Sequence, residues 1–581
     1  MSQATAKPSN SIHYQISIPE PHTHYVKVEA EITAPGKKSV ALKMPVWTPG
    51  SYLIREFEKS VERISAVAAG KPCEITKRDK NTWIINKNSA DKVIVTYWVY
   101  AFEFSVRTSF VDDDQALLNP SSICMFAEGL ENTPGTLGIS LPDRFIRIST
   151  ALGQNSEKYY VFSNYDELAD SPIQIGNHEE WEFSVAGVPH KIAMVGVQNA
   201  DKNRFLKDLQ KVCETMTGIV GEHPCKQYLF IVQNVESGGG GLEHLNSTVV
   251  VMSRLNWNDE AKYKSFLGLC AHEYFHLWNV KRIRPDALGP FNYNQENYTE
   301  LLWVAEGITS YYDELAMVRA GFTKPAQFLT TLEGYVNDLE NRPGSRIQTL
   351  AQSSHDAWIK EYRPNENSKN TSISYYAKGL VVAALLDAKI VAGTQGKKNL
   401  DDLMKLLWEK HYKGLKRGFT TQEFEAAASE IAQTDLGSFF NQHVRSLATP
   451  DYQTIFTNLG LNVTIKQEKR MLSGATTALE NGKTLVKFVE NGTPAYQSGI
   501  NVNDELIAIN QFRINNDLED LLKKLSYPGK SKLLLSRWGI LREINYQFQP
   551  TTRFSIQLAL PENKDNVQIN RWLGSGNGIK P

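Results

Sequence analysis

The first third of the chain alternates hydrophobic and polar positions with the period of a β-strand. Segments 12–18, 25–32 and 92–100 alternate in this way or are rich in β-branched and aromatic residues. Turn-forming residues lie between such segments, for example at 48–50 and 132–135. The pattern predicts a β-rich, sandwich-like domain over residues 1–190.

After about residue 200, hydrophobic positions recur with the period of an α-helix. Residues 420–423 match a capping box, which typically starts a helix. The predicted helices cover residues 204–220, 260–280, 297–319, 326–339, 377–392, 400–411 and 423–431. We therefore expect a mainly helical domain over residues 191–450.

Beyond residue 450, strand patterns return at 484–489 and 505–510, with a helical pattern at 518–525. They predict a smaller domain over residues 451–560, followed by a tail over residues 561–581. The expected fold class is a multidomain α+β protein.

The composition is that of an ordinary globular protein. The chain has 581 residues, of which 41% are hydrophobic and 22% charged, so a wholly disordered, collagenous or multi-span membrane protein is excluded. Lys and Arg number 63 against 64 Asp and Glu, which gives a net charge of −1. This balance creates no general attraction to nucleic acid or anionic lipid, and we expect no nucleic-acid partner.

Five scattered cysteines suggest no disulfide framework and fit a reducing compartment. The first 21 residues lack the apolar segment of a secretory signal. The longest apolar runs, such as 380–386, are too short to span a bilayer. A cytoplasmic location is the expectation.

The strongest chemical motif is the His-Glu-x-x-His pattern of His272, Glu273 and His276. It lies in a predicted helix, where residues four apart share a face and are about 6 Å apart along the axis. Two imidazoles placed so can hold one Zn²⁺, with Glu273 beside the metal to take a proton from water. The alternative is a helix whose histidines merely flank a hydrophobic core.

Two histidines require a third protein ligand. Asn279 and Arg282 exclude the metzincin pattern, which needs Gly and His there. Glu296, Glu300 and Glu306 are the candidates, and Glu306 is favoured because a nearby cation would offset the cost of burying it in an apolar stretch. The cationic run 281–284 suits a helix C-terminus, and a nucleic-acid patch is the weaker interpretation.

Two further segments are candidates for contact with a substrate. Residues 237–244 contain four consecutive glycines followed by Leu-Glu-His, so the backbone can approach a ligand closely and Glu243 can hold an amine. The alternative is a flexible loop with a surface Glu. Tyr375 and Tyr376 start a helix, and one hydroxyl could donate to an oxyanion, although such tyrosines often serve only packing.

Taken in order, these motifs resemble those of the gluzincin aminopeptidases. The resemblance implies a thermolysin-like catalytic domain with one zinc ion per chain, bound by His272, His276 and Glu306. It also implies that Glu273 is the general base and that Tyr376 stabilises the tetrahedral intermediate. Residues 277 to 305, 29 in all, form a longer interval than in the large zinc aminopeptidases, and His244 stands where they have Asn.

The sequence resembles the glycyl-aminopeptidase family of the same clan more closely. That family has a β-rich N-terminal domain, the Gly-rich Leu-Glu-His loop and a C-terminal PDZ domain. The likeness implies that Glu243 anchors the α-amine of the substrate, with Gly240, Gly241 and His244 in the same substrate-binding loop. It also implies a preference for N-terminal glycine or alanine.

Residues 492–510 resemble the PDZ pattern, and residues 459–461 would be its carboxylate-binding loop, which would accept the C-terminus of a peptide or protein. The alternative is a PDZ fold used only for packing.

The sequence thus predicts a zinc-dependent aminopeptidase that acts on peptides with a free N-terminus. Two other functions remain open. One is a zinc endopeptidase of the same clan, and the other is a PDZ-containing binding protein with a silent metal site.

Overall fold

The computed structural model describes residues 10–525, 530–562 and 566–574. Residues 1–9, which include part of the segment used to predict the location, and residues 575–581 of the predicted tail lie outside the described residues. The chain forms two compact units, in each of which the residues mostly contact one another. The first consists of Met1–Thr299, Tyr312–Phe322 and Met404–Thr420, and the second of Glu300–Tyr311, Thr323–Leu403 and Thr421–Pro581.

The N-terminal part of the first unit is rich in β-structure, as predicted. In the strand Tyr25–Thr33 every second residue is buried, and Val26, Val28, Ala30 and Ile32 point into one large hydrophobic core. The alternation in the sequence is therefore the alternation between the two faces of the sheet.

Three sheets build this region. In spatial order, the eight-stranded sheet consists of Gly153–Gln154, Tyr160–Phe162, Gly135–Ser140, Ser11–Ser17, Tyr25–Thr33, Lys92–Tyr100, Val61–Ala68 and Lys71–Pro72. One four-stranded sheet consists of Arg147–Thr150, Ile173–Gly176, Gln115–Leu118 and Phe110–Val111. The other consists of Phe126–Ala127, Ser39–Lys43, Thr82–Asn86 and Glu74–Asp79.

A fourth sheet of the first unit has mixed strand directions. Its order is Glu179–Val185, Val188–Val195, Tyr228–Val235, Ser247–Ser253 and Gly241–Glu243. The central pairs are parallel, and Gly241–Glu243 pairs antiparallel at the edge. Residue 190, where we placed a domain boundary, lies inside one of these strands. The glycine-rich segment thus ends in an edge strand, which gives Glu243 a defined position.

The first unit also contains the helices Lys202–Val220 and Glu260–Phe275. The second helix was predicted to reach residue 280, but it ends at Phe275. The chain reverses its direction a few residues later, at Val280. This residue has a φ of +87°, and its amide donates to Ile283 O at 2.8 Å. Such a φ is incompatible with a continuing right-handed helix.

The second unit supplies most of the other helices. The predicted helix 297–319 starts later, as a π-helical turn, Trp303–Gly307, that continues into Ile308–Arg319. The further helices of the chain are Tyr165–Ala169, Pro325–Asn341, Leu350–His355, Ser368–Thr371, Tyr375–Gly393, Leu400–Leu407 (followed by a π-helical segment, Trp408–Leu415), Thr421–Ala432, Gly437–His443 and Tyr452–Leu459.

Two sheets follow in the second unit. One pairs Asn462–Met471 with Pro550–Ala559, and the other has the order Ala475–Glu480, Lys483–Val489, Glu505–Ile509, Lys530–Arg537 and Ile540–Gln547, with Phe512–Arg513 beside Glu505–Ile509. The short helices Pro494–Gln497 and Leu518–Leu525 accompany the larger sheet around its own core.

Residues 459–461 are not a carboxylate-binding loop, contrary to our expectation. The amides of Gly460 and Leu461 donate to carbonyl oxygens of Thr457 and Phe456 and thereby complete the helix Tyr452–Leu459. Amides that satisfy a helix end in this way cannot bind a foreign chain end.

The last described element is the helix Val567–Leu573, in which Trp572 is fully buried and contacts the rings of Phe328 and Phe456. Among the described residues, the helices are all too short or too polar to cross a membrane.

Together, these sheets and helices form a multidomain α+β fold with a β-rich N-terminal part and a helical middle.

Candidate metal and substrate site

The His-Glu-x-x-His motif spans the last turn of the helix Glu260–Phe275 and the residue that caps it, His276. Asp259 starts this helix, because its side chain accepts from the amides of Ala261 and Lys262. The rings of His272 and His276 lie on the same face with their centroids 4.8 Å apart. The spacing inferred from the sequence is thus present as a pair of neighbouring imidazoles.

Each imidazole is oriented by a hydrogen bond at Nδ1. His272 Nδ1 lies 2.8 Å from Asp313 Oδ2, and His276 Nδ1 lies 3.0 Å from the carbonyl oxygen of Asn279. With Nδ1 donating, Nε2 is the nitrogen with a lone pair for a metal, and a carboxylate behind a histidine is typical of zinc sites. Burial raises the pKa of Asp313, and its hydrogen bond to His272 opposes that effect.

The Glu273 side chain extends from this helix to the glycine-rich segment. It is 5% exposed, and a Cβ atom at Gly241 would overlap its carboxylate. Only glycine allows the backbone of Gly241–Glu243 to run so close to Glu273.

A second buried carboxylate lies beside the first. The ligand atoms of Glu243, Glu273 and His276 are all within 4.8 Å of one another, and Glu243 is 4% exposed. Two carboxylates this close in a dry site repel each other, so a cation among them lowers the free energy of the site. The arrangement suits a metal ion, a substrate ammonium group or both.

The backbone of Gly50 also lies against the Glu243 carboxylate. Its φ is +83°, and a Cβ atom there would lie 2.6 Å from Glu243 Oε1. In the sequence, residues 48–50 gave only a turn signal, so this contribution of the N-terminal β-region was missed. No local pattern could have revealed it, because the two residues are 193 positions apart.

The remaining predicted residues of the loop have different surroundings. Gly240 has a φ of +102° and open space beside it, so it serves backbone conformation. His244 is 1% exposed, and its Nδ1 lies 2.9 Å from Asp170 Oδ1. Asp170 also accepts from Lys281 Nζ at 3.0 Å. His244 is therefore part of a buried polar network.

Two residues of the cationic run after the motif are buried. Lys281 and Arg282 are 8% and 7% exposed, and Arg282 donates to the carbonyl oxygens of Leu245 and Leu277. Buried cations with internal partners add little to the surface charge that attracts phosphates.

The second unit contains the other two predicted residues, Glu306 and Tyr376. Glu306 lies in the π-helical turn Trp303–Gly307 and is 2% exposed, whereas Glu300 is exposed. A Cβ atom at Gly307 would overlap Gly379, so this turn packs directly on the helix Tyr375–Gly393.

Close packing in the second unit brings Glu306 near Tyr376. The pKa of the Tyr376 hydroxyl is raised well above its usual value by burial and by the charge of Glu306. Tyr376 is partly exposed, and its hydroxyl lies 3.3 Å from that of Tyr362. Tyr375 is fully buried and stacks on Tyr376, so of the two only Tyr376 can reach a substrate.

Within each unit, the structure brings some of the predicted residues together. The first unit brings together His272, His276, Glu273, Glu243 and Gly241. The second unit brings together Glu306 and Tyr376. Sequence reasoning did not find Asp313, Asp170 or Gly50, each of which contacts one of the predicted residues.

Two family models match the chain. Residues 13–177 match the peptidase M61 N-terminal domain, and residues 265–382 match the M61 glycyl aminopeptidase. No curated protein sequence matches the chain.

Among solved structures, the chain is similar to an aminopeptidase N family protein from Idiomarina loihiensis, with a TM-score of 0.89 and 28% identity over 97% of this chain and 100% of that one. It is also similar to a mutant of the M1 zinc metallopeptidase from Deinococcus radiodurans, with a TM-score of 0.49 and 10% identity over 76% of this chain and 94% of that one. The two models match the β-rich N-terminal part and the segment that carries the His-Glu-x-x-His motif, so the chain is a metallopeptidase that resembles the M61 glycyl aminopeptidase family over these two segments.

Proposed function

We propose that the protein is a zinc-dependent aminopeptidase that removes a small N-terminal residue, glycine or alanine, from peptides. One observation carries the proposal: Glu243 and Glu273 lie beside His276 in a buried cluster of the first unit. One carboxylate can bind a substrate ammonium while the other handles a proton. The preference for glycine or alanine rests on the family resemblance.

The donor set fits zinc. We propose that one ion is held by His272, His276 and Glu306, since imidazole and carboxylate are ligands that zinc accepts in hydrolytic sites. The Nδ1 contacts of both histidines and the burial of Glu306 support this choice. When bound, zinc supplies Lewis-acid chemistry that lowers the pKa of water and polarises a carbonyl group.

The residues of this chain then have separate tasks. Glu243 accepts hydrogen bonds from the α-ammonium group of the substrate and so selects peptides with a free N-terminus. Glu273 accepts a proton from the attacking water and delivers it to the leaving nitrogen atom. The Tyr376 hydroxyl donates to the oxygen that gains negative charge, and its high pKa keeps the proton available for that bond.

Zinc content tests the ligand set. Glu306→Ala should lose most of the bound zinc, because a water molecule replaces an anionic ligand. Glu300→Ala is the matched control and should keep it, since Glu300 is exposed. Atomic absorption of the purified variants measures this. If Glu300→Ala loses zinc and Glu306→Ala does not, our third ligand is wrong.

An endopeptidase of the same clan is the alternative enzyme. A glycyl peptide and its N-acetyl form distinguish the two, because acetylation removes the ammonium group that Glu243 would bind. We expect cleavage of the free peptide after its first residue and no cleavage of the acetylated one. The other alternative, a binding protein with a silent metal site, predicts no cleavage of either peptide.

We also propose that residues 451–560 include a PDZ domain that accepts a peptide or protein C-terminus. Supporting this, Ala475–Glu480 pairs with only one neighbour among the described strands, so its other edge can receive an added strand. We further propose that the domains of the chain are residues 1–190, 191–450, 451–560 and 561–581.

We also propose that the protein is located in the cytoplasm. The five free thiols support this location, because a reducing compartment keeps cysteines unpaired.

A further inference from the structure

Lys281 is the one member of the cationic run that lies against the proposed substrate site. It follows Val280, a β-branched residue held at a φ of +87°, which side chains of this type rarely adopt. Its own amide donates to His276 O at 3.2 Å. The tight reversal after the motif helix therefore turns the Lys281 side chain back toward the helix end.

The ammonium group of Lys281 lies between two buried carboxylates. It is 3.0 Å from Asp170 Oδ1 and 3.9 Å from Glu243 Oε1. Glu243 Oε1 is buried and has no hydrogen-bond partner among the described residues. The ion pair with Lys281 thus stabilises this oxygen.

Lys281 Nζ is closer to Asp170 than to Glu243, and this difference determines how much of its charge neutralises each carboxylate. Asp170 is the nearer partner and is further held by His244 Nδ1 and by the amide of Leu245 at 2.9 Å. Lys281 therefore shares its single charge and leaves Glu243 only partly neutralised. Glu243 keeps its affinity for a second cation while its position is fixed from behind.

We propose that Lys281 is a positioning residue for the substrate's α-amine: held by Asp170, it orients Glu243 and so determines how strongly the enzyme prefers ligands with a free amine. This inference rests on the proposed role of Glu243. It predicts that the preference for an amine, and not metal binding, depends on Lys281.

Two small hydroxamates isolate that preference. Glycine hydroxamate and acetohydroxamate carry the same metal-binding group, and only the first has an amine. Calorimetric dissociation constants of the zinc-loaded full chain need no turnover. For Lys281→Met we expect glycine hydroxamate to bind about tenfold more weakly, because the Glu243 carboxylate loses the contact that orients it toward the amine. Acetohydroxamate has no amine, and its binding should change less than about twofold.

Removing Lys281 leaves Asp170 buried without its cation, which can destabilise the fold. The double variant Asp170→Asn with Lys281→Met removes both charges and should show the same selective loss. Lys281→Arg should restore part of the preference. Lys413→Met, which removes a half-exposed lysine paired with Glu222 and Glu409, is the matched control and should bind both ligands as the wild type does.

The outcomes separate the two proposals. If the wild type does not prefer glycine hydroxamate, the amine site itself is refuted and this inference with it. If the wild type prefers glycine hydroxamate and the double variant keeps that preference, the proposed role of Glu243 is retained and the role of Lys281 is refuted. Equal weakening of both hydroxamates in the Lys281 variants would also overturn the inference, because it would show general damage to the site.

Discussion

At the scale of single residues, the two carboxylates of the proposed site are each approached by the backbone of a glycine. Gly241 lies against Glu273, and Gly50 lies against Glu243. Any side chain at either position would have to displace a carboxylate whose location decides the chemistry. The two glycines thus allow the backbone to lie directly against both carboxylates.

Gly241→Ala tests this placement. The added methyl group would overlap the Glu273 carboxylate, so we expect kcat to fall by about tenfold or more, with zinc content unchanged. Gly239→Ala is the matched control, because a Cβ atom there meets open space, and it should keep activity within about twofold. Steady-state hydrolysis of a glycyl anilide measures both. Equal activity of the two variants would show that Gly241 does not position Glu273.

The sequence could predict the chemistry of the motif but not its surroundings. His272, Glu273 and His276 are recognisable because their spacing matches one helical face. Asp313, Asp170 and Gly50 come from distant segments, and nothing in their local patterns links them to the motif. Lys281 was interpreted as a cation at a helix end or, less favoured, as part of a nucleic-acid patch. Its contact with Glu243 could not be predicted, because that contact depends on the turn at Val280.

At the scale of elements, most helices and strands follow the hydrophobic pattern, and the exceptions have physical causes. The strand Lys92–Tyr100 has the predicted limits, and the helix Lys202–Val220 begins two residues before the predicted 204–220. Trp303–Gly307 forms a π-helical turn where an ordinary helix was expected. There Ser354 Oγ accepts from the Trp303 amide at 3.1 Å, and Gly307 packs on Gly379. Tertiary contacts of this kind are invisible to periodicity.

The pair Gly307 and Gly334 tests the importance of that packing. Gly307→Ala would overlap backbone atoms of Gly379, and we expect it to lower the free energy of unfolding by about 1–3 kcal/mol. Gly334, inside the helix Pro325–Asn341, has open space, so Gly334→Ala should raise stability by about 0.5–1 kcal/mol. Urea unfolding gives both values. A Gly307→Ala variant as stable as the wild type would contradict the close packing.

At the scale of the whole molecule, four histidines in three parts of the fold make stability depend on pH. Burial lowers the pKa of His178, His190, His223 and His443 to about 4 in each case. The unfolded chain binds protons near pH 6.5, and the folded chain does not until about pH 4. Protonation therefore favours unfolding throughout that window.

We expect the free energy of unfolding to fall as pH is lowered from 6.5 to 5, by up to about 1.4 kcal/mol per pH unit for each histidine. Burial raises the pKa of Glu314 to about 7, so this one carboxylate changes stability in the opposite direction in the same range and the four histidines outweigh it. Urea unfolding at several pH values measures it. A free energy that is constant between pH 6.5 and 5 would contradict the burial of these rings in their neutral form.

The measurement that tests the central claim most directly is the activity of Glu273→Gln with its zinc content determined in the same sample. Gln has the same shape as Glu but cannot accept a proton from water at neutral pH. The account predicts wild-type zinc content and a kcat for a glycyl peptide reduced by at least about 100-fold. Undiminished cleavage of that peptide by zinc-loaded Glu273→Gln would contradict it.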